Sequence, residues 1–243
     1  MEFDGQLALV TGSTAGIGRE TARLLAAGGA TVIVTGRDEA RGARTVASIE
    51  ADGGRAKFLA ADMADLASVR ALAEAVGEVD VLVNNAGIFP FAATVDQDEE
   101  GFQRLFDVNV RAPFFLTAAL LPGMAARGRG SVVNVSTSAT SFAVPGAAAY
   151  SATKAALESL TRTWAVEFRG TGVRVNAIAP GATVTEGTQA LAPDAVDETG
   201  RKSPLGRTAS AREIAEAVVF LASPRAAYVH GELLQADGGR TIG

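Results

Sequence analysis

Short apolar runs alternate with longer helical stretches along all 243 residues, which predicts an α/β fold with a doubly wound parallel sheet flanked by helices. Two further observations sharpen this. The apolar runs are rich in Val, Leu and Ile with little polar alternation, as expected of strands buried on both faces. The length and a hydrophobic content of 48% suit one large core, so the whole of 1–243 reads as a single domain with no linker and no internal repeat.

Gln6–Thr11 reads as the first strand and Gly16–Ala27 as the first helix. Thr31–Thr35 and Asp38–Ala51 repeat the pattern, as do Ala56–Ala60 with Leu66–Val76. Val79–Asn84 is the fourth strand, and Asp98–Arg127 reads as one long helix. Ser131–Ser136, Ala149–Phe168 and Val173–Ile178 continue the alternation, and Ala211–Ala222 with Leu233–Gln235 ends it. Thr183–Ser210 has no strong periodicity and contains Pro193, Gly200, Pro204 and Gly206. It reads as a long mobile loop that covers a substrate.

Composition excludes several classes. The net charge of −5 argues against nucleic acid as a partner. There is no cysteine, which removes disulfides, thiolate metal sites and thiol nucleophiles and is compatible with a reducing cytoplasm. His230 is the only histidine, so a histidine triad or multi-histidine metal site is unavailable and the residue reads as structural or exposed. The N-terminal residues are acidic and poor in apolar side chains, unlike a signal peptide. No run of roughly 18 uninterrupted apolar residues suggests a membrane span.

Thr11-Gly12-Ser13-Thr14-Ala15-Gly16-Ile17-Gly18 joins the first strand to the first helix. Glycines there allow a tight turn and close approach of a pyrophosphate, and the helix N-terminus offers free N–H groups and a positive dipole end. Gly12, Ser13, Thr14, Gly16, Ile17 and Gly18 are therefore candidate dinucleotide contacts. At the end of the second strand, Gly36 stands where an acid would hold a ribose diol, and Arg37 follows. A guanidinium there suits a 2′-phosphate, which favours NADP(H) over NAD(H). Asp38 is either part of this site or a helix cap. Asp62, followed by Met63 after the third strand, is an adenine contact or a turn acid.

Tyr150 and Lys154 stand four apart in a helical segment, hence on one face. An ammonium one turn from a phenol favours the phenolate and lowers its pKa from near 10. Asn134-Val135-Ser136-Thr137-Ser138 ends the fifth strand with three hydroxyls that are catalytic candidates or satisfy strand-end backbone groups.

With Asn84-Asn85-Ala86-Gly87, Asn109 and Pro180-Gly181 added in order, the chain resembles the short-chain dehydrogenase/reductase family over essentially its whole length, and 3-oxoacyl-carrier-protein reductases within it. The resemblance implies a single Rossmann-like domain with a seven-stranded sheet and hydride transfer between a nicotinamide and a carbonyl or alcohol. It implies Tyr150 as acid–base and Lys154 as its partner and ribose contact. It also implies Asn109 as anchor of a proton-relay water, and no metal. The family's serine stands thirteen residues before the tyrosine; here that position is Thr137, with Ser138 as the alternative. Asn84, Ala86, Gly87, Pro180, Gly181, Thr183 and Thr185 are expected along the cofactor. The resemblance further suggests a homotetramer or homodimer.

The substrate is a small carbonyl or alcohol whose identity the motifs do not give. Phe89, Pro90, Phe91, Phe142, Ala143 and Val144 are candidates for an apolar pocket or for ordinary packing. Arg127, Arg129 and Arg169 are a weak candidate surface for an acidic acyl carrier protein, the fatty-acid-type alternative. A nucleotide-sensing protein without turnover is the reading from another class.

Overall fold

The structure is a computed structural model and describes residues 1–191 and 193–242. In chain order its strands are β1 (Leu7–Val10), β2 (Thr31–Gly36), β3 (Arg55–Ala60), β4 (Val81–Asn84), β5 (Gly130–Val135), β6 (Val173–Pro180), β7 (Thr183–Val184), β8 (Ala209–Ser210) and β9 (Leu233–Ala236). Among the described residues, seven of them form one sheet in the order β3-β2-β1-β4-β5-β6-β9, and every pairing is parallel. The order reverses between β1 and β4. That topological switch point is where sheets of this class bind ligands, outside the carboxyl ends of the strands.

The strand residues alternate between two cores, as the period of two requires. Val10, Val34, Val133 and Ile178 pack with Leu25 of α1 (Gly16–Ala27) and Val218 of α9 (Ala211–Ala222) on one face. Leu9, Leu82, Val132 and Val175 pack on the other with Leu72 of α3 (Leu66–Val76) and Leu116 of α5 (Ala112–Ala126). Trp164 of α6 (Ala148–Glu167) completes that second core. Polar caps fix where helices start. Asp38 accepts a hydrogen bond from Arg41 N–H at 2.9 Å and caps α2 (Glu39–Ala51), so its helix-cap reading is realised. Ser210 and Glu213 form a capping box on α9.

Two expectations change. The long helix expected over Asp98–Arg127 is three pieces: α4 (Glu99–Phe106), a π turn over Asp107–Arg111, and α5. Pro113 lacks the N–H that an α-helix would offer to the carbonyl of Asn109, four residues earlier, which helps explain the irregularity there. Thr183–Ser210 is not a structureless loop. It holds α7 (Glu186–Leu191) and α8 (Pro193–Arg201), and its two ends pair as β7 and β8 through Thr183↔Ala209 and Val184↔Ser210. Both helices are too short for a periodic signal. Pro193, which reads as a breaker, opens α8, where its missing N–H costs nothing.

The continuous helical stretch Glu99–Ala126 is long and apolar enough to cross a membrane by length and composition, but half of its most apolar window is buried in this fold. His230 is structural. Its Nδ1 accepts from Val175 N–H at 3.2 Å and its Nε2 lies 2.8 Å from Ala165 O, tying β6 to α6.

Candidate active site

The glycine turn is built by contacts that admit no side chain. A Cβ at Gly12 would sit 2.9 Å from Ala86 Cα, and one at Gly18 would sit 2.5 Å from Gly12 O. Gly12 and Gly16 also take positive φ, at 63° and 53°. Asn85 holds the turn against the end of β4: its amide donates to Thr11 O at 2.8 Å and Gly12 O at 3.1 Å. This residue was not among the expected site residues, although it lies inside the Asn-Asn-Ala-Gly motif.

Two expected cofactor contacts are internal braces instead. Ser13 is fully buried; its hydroxyl donates to Val10 O and accepts from Thr35 N–H, and its own N–H donates to Thr35 O. It therefore stitches the turn to β2 and has no donor left for a phosphate. The Asn84 amide donates to Thr117 and Asn134, and Asn134 donates to Thr161. That buried chain ties β4, β5, α5 and α6 together and spends the Asn84 amide N–H groups, while the Asn84 Oδ1 is buried without a hydrogen-bond partner.

An anion already sits at the α1 N-terminus. Gly16 N–H donates to Glu186 Oε2 at 3.0 Å, and Arg19 pairs with Glu186 Oε1 at 2.6 Å. Burial raises the Glu186 pKa, but hydrogen bonds and the Arg19 charge outweigh it and hold the carboxyl below its usual range. The carboxylate of α7 thus stands in for the anion that the turn and helix dipole favour. Thr185 is committed locally, since its hydroxyl accepts from Thr188 N–H at 3.1 Å in the manner of a helix cap. Thr183 donates to Gly181 O at 2.9 Å.

Beyond β2, a Cβ at Gly36 would lie 2.8 Å from the Thr14 side chain, so the turn itself excludes an acid there. Arg37 is exposed and pairs with no acid among the described residues. Asp62 Oδ1 accepts from Ala64 N–H at 2.9 Å, so the turn role is filled by one of its oxygens. Met63 packs against the second core.

The carboxyl end of β5 and the first turns of α6 bring the acid–base candidates together. The Thr137 hydroxyl lies close enough to the Tyr150 phenol to favour its ionised form. Thr137 Oγ1 also accepts from Ala139 N–H at 3.3 Å. Ser138 is nearly buried and opens a short 3₁₀ turn. Tyr150 keeps part of its ring exposed, and Phe89 and Phe91 flank it at 6.4 and 6.1 Å between centroids. Lys154 is 4% exposed and donates to Val135 O at 2.8 Å. A Cβ at Gly87 would lie 3.1 Å from its Nζ.

Electrostatics here differ from the expectation. Burial pushes the Tyr150 phenol up to about 12, and the Thr137 hydroxyl pulls it the other way. Burial pushes Lys154 down to about 8. Desolvation, rather than the lysine's charge, dominates the phenol. Asn109 sits in the π turn, 1% exposed. Its amide accepts from Ile88 N–H and donates to Ile88 O and to Thr153, all within 2.9–3.0 Å. Its side chain braces the segment after β4, with both amide N–H groups spent.

The family model described as enoyl-(acyl carrier protein) reductase matches residues 12–241. The chain belongs to the short-chain dehydrogenase/reductase family. It is an oxidoreductase of the alcohol–carbonyl class. A 3-oxoacyl-[acyl-carrier-protein] reductase of Thermotoga maritima is 36% identical, with 100% of each chain covered. A solved structure titled a putative betaketoacyl-ACP reductase is 55% identical with a TM-score of 0.93, again covering 100% of both chains. A gluconate 5-dehydrogenase of Burkholderia cenocepacia, solved with NADP and tartrate, is 35% identical with a TM-score of 0.92, covering 99% of this chain and 96% of that one.

Proposed function

We propose that this chain reduces a carbonyl, or oxidises the matching secondary alcohol, with NADP(H), using Tyr150 as the acid–base. The observation that carries this reading is a phenol beside the Thr137 hydroxyl and one helical turn from Lys154, a buried lysine. Bound NADP(H) supplies or accepts the hydride. In reduction, Tyr150 gives its proton to the carbonyl oxygen while the Thr137 hydroxyl orients and stabilises the developing alkoxide. In oxidation the phenolate takes that proton back. Lys154 supports the phenolate and is placed to hold a ribose hydroxyl. The Asn109 carbonyl, lacking its α-helical donor, is the group that would bind a relay water. Phe89 and Phe91 flank the phenol and give it an apolar wall.

The close-approach cradle at Gly12 and Gly18 and the anion-binding end of α1 fit a dinucleotide. Gly12, Thr14, Gly16, Ile17 and Gly18 would hold it with Ala86, Gly87, Pro180, Gly181 and the Thr183 and Thr185 backbone. Asp62 Oδ2 and Met63 would meet the adenine, and Arg37 the 2′-phosphate. Arg37→Ala is expected to weaken NADPH by about tenfold or more while leaving NADH nearly unchanged, read by fluorescence titration of each. Equal losses for both would refute the phosphate role. Because Glu186 holds a negative charge on the same N–H group, Glu186→Gln should tighten NADP+ several-fold, about 1 kcal/mol. Weaker binding would show that the carboxylate supports the site instead.

A 3-oxoacyl thioester is the alternative substrate, in line with the relatives. The arginines considered for an acidic carrier are partly spent: Arg127 pairs with Glu78 and Arg129 with Asp80. Assembly is proposed through α5 and α6. A groove of about 490 Å³ there exposes Phe114 and Phe115, which a second copy would cover. Light scattering should give a dimer or tetramer mass that falls for Phe115→Glu; a wild-type monomer would refute it. The chain is proposed to work in the cytoplasm.

A further inference from the structure

A second cavity, of about 250 Å³, lies beyond Ser138 and Gly181 and is walled by Arg207, Glu213, Asp237 and Arg240. Its charges are not equivalent. Arg207 is neutralised by two hydrogen bonds to Glu213, at 2.6 and 3.0 Å. Asp237 is taken up by its own turn, with Gly239 N–H at 2.9 Å on one oxygen and Thr241 N–H at 2.8 Å on the other. Arg240 has no ion pair among the described residues, and its buried Nε has no hydrogen-bond partner. Its guanidinium stacks 4.5 Å above the Phe142 ring, which fixes the plane without satisfying a donor. An oriented, half-buried guanidinium without an ion pair is a receptor for a carboxylate, which takes two parallel N–H bonds from such a fork.

The cavity belongs to the proposed reaction site through one loop. Residues 137–142 carry, in order, the hydroxyl on Tyr150, a cavity wall at Ser138, and the ring beneath Arg240. We propose that Arg240 is a specificity-determining residue, and that the substrate is an oxo or hydroxy acid whose carboxylate it binds. This rests on the carbonyl-reductase reading and narrows its substrate class. The carboxylate is a handle only. Hydride reaches the carbonyl carbon, Tyr150 protonates its oxygen, NADPH becomes NADP+, and the carboxylate leaves unchanged.

The test compares wild type with Arg240→Met, which keeps an apolar stem over Phe142, and with Arg240→Lys, which keeps charge but not the fork. NADPH oxidation is measured on 3-oxo and 5-oxo acids and on their methyl esters. Malonate, which cannot react, is titrated calorimetrically into the full-length protein loaded with NADP+. The expected result is an acid preference in kcat/KM, carried by KM, that Arg240→Met abolishes with a loss of about 10- to 100-fold on acids alone. Malonate affinity should fall in parallel, Arg240→Lys should recover part of both, and the melting temperature should hold. Esters turned over as well as acids, with malonate binding indifferent to Arg240, would overturn the inference and leave the reductase reading standing. Arg240-dependent malonate binding without turnover of any oxo compound would uphold the anion site and count against the reductase reading.

Discussion

Tyr150→Phe is expected to lower kcat/KM for carbonyl reduction by about three orders of magnitude, within the range that a positioned acid contributes, while NADPH binding stays close to wild type. Phenylalanine keeps the ring between Phe89 and Phe91 and removes only the hydroxyl that Thr137 meets. The pH dependence has a definite sign. In the free enzyme burial pushes the phenol up to about 12, so the protonated form needed for reduction persists through neutral and mildly alkaline pH. Reduction should therefore be flat in kcat/KM across that range. Oxidation needs the phenolate, so its kcat/KM should climb as pH rises. Lys154, pushed down to about 8, loses its charge above that value, and with it part of the support for the phenolate. The rise should accordingly be shallower above pH of about 8 than below it. A Tyr150→Phe variant that turns over normally, or oxidation that falls with pH, would contradict this assignment.

Thr137→Ala should cost about 2–4 kcal/mol in transition-state stabilisation, by analogy with deleting a single oxyanion donor. Ser138→Ala should cost much less. The structure separates the two hydroxyls: Thr137 acts on the phenol, whereas Ser138 is nearly buried at the start of the 3₁₀ turn and lines the cavity shared with Arg240. Thr137→Ser, which retains the hydroxyl, should recover most of the rate. Normal kinetics in Thr137→Ala with an inactive Ser138→Ala would move the role one residue along.

The sheet was legible because its strands are continuous apolar runs, and a strand buried on both faces needs nothing else. The glycine turn and the Tyr150/Lys154 pair were legible because their spacing along the chain is the same as their spacing in space. What the sequence hid were residues whose partners lie far away in it. Ser13 and Asn84 sit inside recognisable motifs, yet the Ser13 hydroxyl is taken up by β1 and β2, and the Asn84 amide N–H groups by a hydrogen-bonded chain to Thr161. Asn109 falls within the stretch 98–127 that reads as one long helix. The π turn around it depends on backbone bonds that no side-chain pattern reports, although Pro113 four residues on is a usable sign. Glu186 meets Gly16 across 170 positions, and Arg240 meets Phe142 from the other end of the chain. The phenol's pKa also went against expectation. The lysine's sequence proximity was visible, whereas the burial that dominates it was not.

This pocket is proposed to carry out carbonyl chemistry rather than only to hold a dinucleotide. The most direct test follows NADPH oxidation by the wild-type protein against acetoacetyl thioesters, small diketones, cyclic ketones, sugars and oxo acids, with NADP+ reduction on the matching alcohols. The expected result is NADPH-dependent turnover of at least one class, lost in Tyr150→Phe. Measurable NADPH binding with no turnover in either direction across that panel would contradict it and favour a nucleotide-sensing protein.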